Sequence, residues 1–155
     1  MGMKMDNIKD LQEELFCLKF ELETLSEHLV KDNLERMLPN FSRSIIEYTH
    51  KERYKLITDI VENKEVIDIA CGTGYGSFYL AQHGNVKNIT GYDLSSDTIR
   101  YASHRYKHPN LSYKQGDAEK LEVDNKVDVI VSYETIEHLP NYKAFLEAIN
   151  KNRKR

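Results

Sequence analysis

The segment Val66-Ile67-Asp68-Ile69-Ala70-Cys71-Gly72-Thr73-Gly74-Tyr75-Gly76 leaves few folds open to this chain. Its apolar first half reads as a buried strand over residues 65–71, and the glycines that follow read as a tight turn opening a helix. Glycine lets the backbone pass close to a ligand, and the first turn of a helix presents unpaired N–H groups. The spacing is Gly-x-Gly-x-Gly. Ser77 stands where the dinucleotide fingerprint Gly-x-Gly-x-x-Gly has its third glycine, which argues against a nicotinamide-dependent oxidoreductase. Asp68 places a carboxylate on the strand just before the loop. A carboxylate there repels a pyrophosphate and suits a cationic, sulfonium-type cofactor. The competing reading is a tight turn that binds nothing.

Two acids follow at comparable places. Gly91-Tyr92-Asp93-Leu94-Ser95 ends a second strand, about 20–25 residues after the glycine loop, where an acidic side chain can accept both hydroxyls of a ribose. Hydrogen bonds to a charged group contribute roughly 1.5–3 kcal/mol, so Asp93 could govern affinity. Its alternative is a plain cap for the next helix. Gly116-Asp117-Ala118 lies just past a third strand. Asp117 can accept from an adenine amino group while the Ala118 N–H reaches a ring nitrogen. Alone, Gly-Asp is a common turn. Its register with Gly72 and Asp93 gives it weight, because open α/β sheets bind ligands outside the carboxyl ends of their strands.

The rest of the chain supplies the elements such a site needs. Helices are predicted over 44–63, 74–83 (ended by Gly84), 96–106 (with Ser95 as N-cap) and 142–151. Strands are predicted over 65–71, 87–92, 111–115 and 127–133, the last being a β-branched run. Strands alternating with helices imply parallel pairing and right-handed crossovers. The expected fold is α/β, a three-layer sandwich around a parallel sheet of order 3-2-1-4, preceded by an N-terminal helical segment. The expected division is a helical segment and linker over 1–43 and the sheet domain over 44–155, with a turn at Pro39-Asn40 between helices.

The first helix has its own pattern. Ile8, Leu11, Leu15, Leu18, Leu22, Leu25 and Leu29 alternate steps of three and four, which puts all of them at a and d of a heptad repeat. Glu14 then falls at g and Lys19 at the following e, an attractive pair across a parallel dimer. Such a helix joins a second copy or a partner as a coiled coil, or docks on its own domain. Phe16 and Phe20 widen its apolar surface beyond a narrow seam and favour docking.

A net charge of −3 argues against a nucleic-acid binder driven by phosphate attraction, and the basic tail 151–155 is too short to alter that. Cys17 and Cys71 make no disulfide framework, and neither they nor the six histidines show metal-ligand spacing. No run approaches the ~20 apolar residues needed to span a bilayer, and Asp6 stands where a myristoylation signal wants Ser or Thr. A cytoplasmic location is the default expectation.

Taken together, residues 65–139 resemble the class I S-adenosylmethionine-dependent methyltransferases, which have a Rossmann-like fold. Residues 66–76 match the cofactor loop, Asp93 the ribose acid, Gly116-Asp117-Ala118 the adenine contact, and residues 128–139 the fourth strand and its exit. The upstream residues 35–39 and 46–54 look like the lead-in helix of bacterial members that modify cell-surface glycans. The resemblance implies S-adenosylmethionine as cofactor, a small-molecule or glycan acceptor, and binding residues Arg53 (with His50 beside it), Asp68, Ala70, Gly72, Gly74, Asp93, Leu94, Asp117, Ala118 and Tyr133. Two departures stand out. Ala70 replaces the loop's usual first glycine, read as a small and tolerated change. The family's sheet also continues with three more strands where this sequence stops, so a truncated product, a fragment or a subunit completed by a partner is expected, with strand 4 as an open edge.

Methyl transfer from a sulfonium needs a base only if the acceptor must lose a proton. The candidates are Glu134, Glu137 and His138 in Tyr133-Glu134-Thr135-Ile136-Glu137-His138-Leu139. The alternative role for Glu137 and His138 is to buttress this loop. An active enzyme and a cofactor-binding but inactive regulatory subunit both fit the sequence.

Overall fold

The structure is a computed structural model that describes the backbone of residues 5–31 and 45–154, and side chains over 7–26 and 50–154. The expected turn at Pro39-Asn40, the lead-in residues 35–39 and the side chain of Leu29 lie outside the described residues. The described elements are α1 (Met5–Lys31), α2 (Ile45–Lys55), α3 (Thr58–Val61), β1 (Glu65–Ile69), α4 (Tyr75–His83), β2 (Asn88–Asp93), α5 (Ser96–Arg105), β3 (Leu111–Gln115), β4 (Val129–Val131), a 3₁₀ turn (Ile136–His138) and α6 (Tyr142–Asn152).

The four strands pair in parallel in the order β3-β2-β1-β4, as the alternation of strand and helix dictates. Side chains of β1 alternate between the two faces of the sheet. Val66 joins a core with Tyr54, Leu80, Val86, Ile89 and Val131, under α2 and α4. Ile67 and Ile69 face the other way, into a core with Tyr92, Leu121 and Phe145 beneath α6. These are the three expected layers. Asp68 sits between the two isoleucines and so faces the first layer, where α2 and α4 meet.

Ser95 caps α5 by accepting from the Thr98 N–H at 3.3 Å. Asn141 caps α6 in the same way through Ala144. Two expected elements come out differently. The helix expected over 44–63 is split: the Thr58 hydroxyl donates to the Lys55 carbonyl at 2.9 Å, a local bond that competes with helix continuation. The fourth strand is limited to three residues. At one end the Val127 N–H is drawn to the Asn152 carbonyl, and at the other the Tyr133 hydroxyl is drawn to the carbonyl of Arg53.

Helix α1 packs on α5. Cys17, Phe20 and Tyr101 form a small core, with the Phe20 and Tyr101 rings stacked at 4.8 Å. Arg105 bonds both Glu14 and Glu21, Arg100 bonds Glu13, and the Tyr101 hydroxyl donates to Glu21 at 2.9 Å. Hydrogen bonds from Arg105 and Arg100 hold Glu14 and Glu13 below the usual carboxylate range. Glu14, expected to face Lys19 of a partner, is therefore engaged within its own chain by Arg105 and His104. The docking expected from Phe16 and Phe20 is what the structure shows.

Candidate functional site

The carboxyl ends of β1 and β2 lie side by side, and the glycine loop crosses them. Its backbone alternates into left-handed conformations at Ala70 (φ 57°), Gly72 (φ 54°) and Gly74 (φ 85°). Ala70 is thus more than a small substitute for glycine, because it holds a conformation costing an L-residue roughly 1–2 kcal/mol. Gly74 is fixed twice over: a Cβ there would also stand 2.6 Å from the Ala102 Cβ. Gly72 differs, since a Cβ there meets nothing within 4 Å. The peptide at Gly72 borders open space.

Asp93 holds this loop in place. One carboxylate oxygen accepts from the Gly72 N–H and the other from the Ser95 N–H, each at 3.0 Å. A carboxylate has about four acceptor positions, so two remain for a ligand's hydroxyls. Next to Asp93, Leu94 is 69% exposed, an apolar side chain left in water at the rim of the site.

Asp68 is almost wholly buried. It accepts from the Ser77 hydroxyl at 2.7 Å and from the Tyr54 hydroxyl at 3.3 Å. Burial raises its carboxyl to about 7, against the lowering effect of these two hydrogen bonds. Burial likewise pushes the neighbouring Tyr54 phenol and Cys71 thiol upward. The sequence treats Ser77 only as an absent glycine, and Tyr54 only as part of the lead-in helix. Both prove to be partners of Asp68. Ser77 lies within the first turn of α4, close in sequence to Asp68, which was a readable signal; nothing local marks Tyr54.

A cavity of about 100 Å³ opens here, lined by residues that include His50, Tyr54, Cys71, Gly72, Tyr133 and Glu134. The Tyr54 and Tyr133 rings meet edge to face at 5.1 Å. Arg53 Nη1 stands 2.6 Å from a Glu134 carboxylate oxygen, an ion-pair distance without hydrogen-bond geometry, and Glu134 itself is held at φ 50°. Burial lowers the pKa of His50, and the charge of Arg53 lowers it further. His138 lies in the exposed 3₁₀ turn and is not among the residues lining this cavity. Of the candidate bases, Glu134 lines the cavity beside Arg53, while Glu137 and His138 lie in the exposed turn outside its lining.

Asp117 and Ala118 lie past β3, at the far side of Asp93. Asp117 accepts from the Glu119 N–H at 2.9 Å and pairs with Lys120 at 3.2 Å. These bonds hold its carboxyl below the usual range. Ala118 packs against the core under α6. Arg53, Asp68, Ala70, Gly72, Gly74, Asp93, Leu94 and Tyr133 thus surround the ends of β1, β2 and β4, with Asp117 and Ala118 extending the line along β3. Among the described residues there is no cluster of His, Cys, Asp and Glu able to hold a metal ion, and no helix long and apolar enough to cross a membrane.

Comparison with known proteins adds an independent observation. Residues 66–154 match the family described as "Methyltransferase domain". Among similar curated proteins, a fatty-acid O-methyltransferase of Mycolicibacterium smegmatis is 34% identical over 90 residues, 57% of this chain and 33% of that protein. A phthiotriol/phenolphthiotriol dimycocerosates methyltransferase of Mycobacterium tuberculosis is 32% identical over 87 residues, 56% of this chain and 32% of that one. The chain spans about a third of the length of these relatives. Among solved structures, a methyltransferase from Aquifex aeolicus dependent on S-adenosylmethionine aligns with a TM-score of 0.58 at 23% identity, covering 67% of this chain and 58% of that one. Coclaurine N-methyltransferase, solved with N-methylheliamine and S-adenosylhomocysteine, aligns with a TM-score of 0.61 at 22% identity, covering 74% of this chain and 35% of that one.

Proposed function

Because this chain belongs to the class I S-adenosylmethionine-dependent methyltransferases, we propose that it binds S-adenosylmethionine across the ends of β1 and β2 and serves methyl transfer to a small-molecule acceptor. The observation that carries this reading is the Asp93–Gly72 contact, an acid anchored by backbone N–H groups beside a peptide that borders open space. The residues fit the cofactor. Gly72 leaves room for its close approach, and Asp93 retains acceptor capacity for two hydroxyls. Ser132 Oγ, one residue before Tyr133, is a buried polar atom with no partner among the described residues.

When bound, the cofactor supplies a methyl group on a positively charged sulfur, ready for in-line displacement. The chain's own part is positioning and exclusion of water. Asp93 would take the ribose hydroxyls, and Leu94, Asp117 and Ala118 would flank the purine. Asp68 with Ser77 and Tyr54 forms a network that would gain from a nearby positive charge, since a cation favours the ionised carboxylate. Arg53 and Glu134 join α2 to the exit of β4 and hold Tyr133 against Tyr54. Glu134, paired with Arg53, is a positioning residue in this scheme. His138 stands outside the cavity, so no proton transfer is assigned to either.

The names of the relatives favour a lipid-like acceptor, an oxygen on a long apolar molecule. The glycan alternative rests on the lead-in residues alone. The test is incubation with S-adenosylmethionine tritiated at its methyl group and fatty acids of graded length, followed by extraction into organic solvent. Label in the organic phase supports the reading. Label confined to the aqueous phase, from a chain that binds the cofactor, contradicts the lipid class.

A further inference from the structure

We propose that α1 joins a second copy of this chain in a parallel two-stranded coiled coil, through the stretch of its a/d seam from Ile8 to Leu22 that stays exposed among the described residues. The helix docks mainly with residues outside that seam; of the a/d series only Leu25, near its end, also packs on the docking core. Phe16, Cys17 and Phe20 occupy b, c and f positions, and Glu14 and Glu21 occupy g. On the opposite side Ile8, Leu11, Leu15, Leu18 and Leu22 remain 44–67% exposed, an unbroken run of a and d positions. A helix used only for packing on its own domain would point these leucines at α5 and leave the phenylalanines in water. Here both faces are apolar, and one of them has no cover among the described residues.

The occupant that fits is a second α1. Heptad spacing is the pattern by which identical helices interlock knobs into holes, and here it marks a face that its own domain does not take up. Burying these five side chains in each of two copies removes on the order of 1,000 Å² from water, the size at which specific interfaces begin. Extension of the sheet builds elsewhere, because α5 packs on β2 and β3 whereas the open edge is β4.

The same geometry sets orientation. In a parallel pair each g residue lies beside the next e residue of the partner, which brings exposed Lys19 of one copy to Glu14 of the other. Glu14 keeps 42% of its side chain exposed after bonding Arg105, so a second cation can reach it. An antiparallel pair centred on Leu15 and Leu18 would set Glu14 against Glu21, like charges, and put both globular bodies on one side. Two parallel chains satisfy both constraints.

The test is sedimentation equilibrium of the full chain from 1 to 100 µM in parallel with a Leu15→Asp, Leu22→Asp double variant, as a concentration range of about this order spans moderate affinities. The expected mass for the native chain rises to twice 18.1 kDa. The variant stays at the monomer mass with unchanged far-ultraviolet dichroism, since both leucines are exposed and their loss leaves the α5 contacts intact. A Leu11→Cys variant should form a disulfide-linked dimer on mild oxidation, because only parallel pairing sets residue 11 against itself; native Cys17 and Cys71 are buried. A native chain that remains monomeric, a dimer that survives both aspartates, or an oxidised dimer that does not form at residue 11 would overturn the proposal.

Discussion

A Cβ on Gly76 would stand 1.9 Å from the ring of Tyr54. The third glycine of the loop therefore serves α2 packing, letting a tyrosine ring lie flat on α4 and carry its hydroxyl to Asp68. Gly76→Ala should lower stability by about 1–3 kcal/mol through overpacking, read from urea midpoints. In a Tyr54→Ala background the same change should cost clearly less, because the obstructing ring is gone. Equal costs in both backgrounds would show that the close approach is not what selects glycine.

Asp68 makes a pH signature. Its carboxyl is raised to about 7 by burial, whereas the unfolded chain has the ordinary value of 3.8. Between those values the folded state holds a proton that the unfolded state has lost. Stability from this group therefore declines as pH climbs from 4 towards 7, and levels off above the folded value. Asp68→Asn should remove that slope while keeping an oxygen for Ser77 and Tyr54 to donate to. Urea midpoints at pH 5.5 and pH 8 should differ more in the native chain than in the variant. A slope unchanged in the variant would assign it to other groups.

The loop offers a stabilising change as well as disruptive ones. Ala70 sits at φ 57°, where glycine rests without penalty, so Ala70→Gly should raise the unfolding free energy by up to about 1 kcal/mol. Gly74→Ala should do the opposite and by more, combining φ 85° with a 2.6 Å contact to Ala102. Thermal unfolding of the two variants would separate these effects, and two shifts of the same sign would contradict the strain account.

These particulars show what the sequence made legible. The sheet order, the Ser95 cap and the placement of Gly72 and Asp93 at neighbouring strand ends were readable because glycine spacing and strand–helix alternation are local signals. Thr58 illustrates a local signal that was outweighed in reading: a helical pattern over 44–63 hid the hydroxyl bond that breaks it. Tyr54 was not readable, because its meeting with Asp68 and Gly76 depends on how α2 lies over α4. The approach of Arg53 to Glu134 is equally non-local, since it depends on where α2 lies against the exit of β4. In α1 the a/d residues from Ile8 to Leu22 stay exposed, and the helix docks mainly through Phe16, Cys17 and Phe20, the residues that widened its apolar surface.

The most direct test of cofactor binding is calorimetric titration of the chain with S-adenosylmethionine, beside Asp93→Ala. Loss of a charged acceptor worth roughly 1.5–3 kcal/mol should weaken binding about 10–100-fold, with the fold retained by circular dichroism. Equal affinity in the two proteins would show that Asp93 only anchors Gly72 and Ser95. A folded native chain that binds neither the cofactor nor its demethylated product would contradict the site itself.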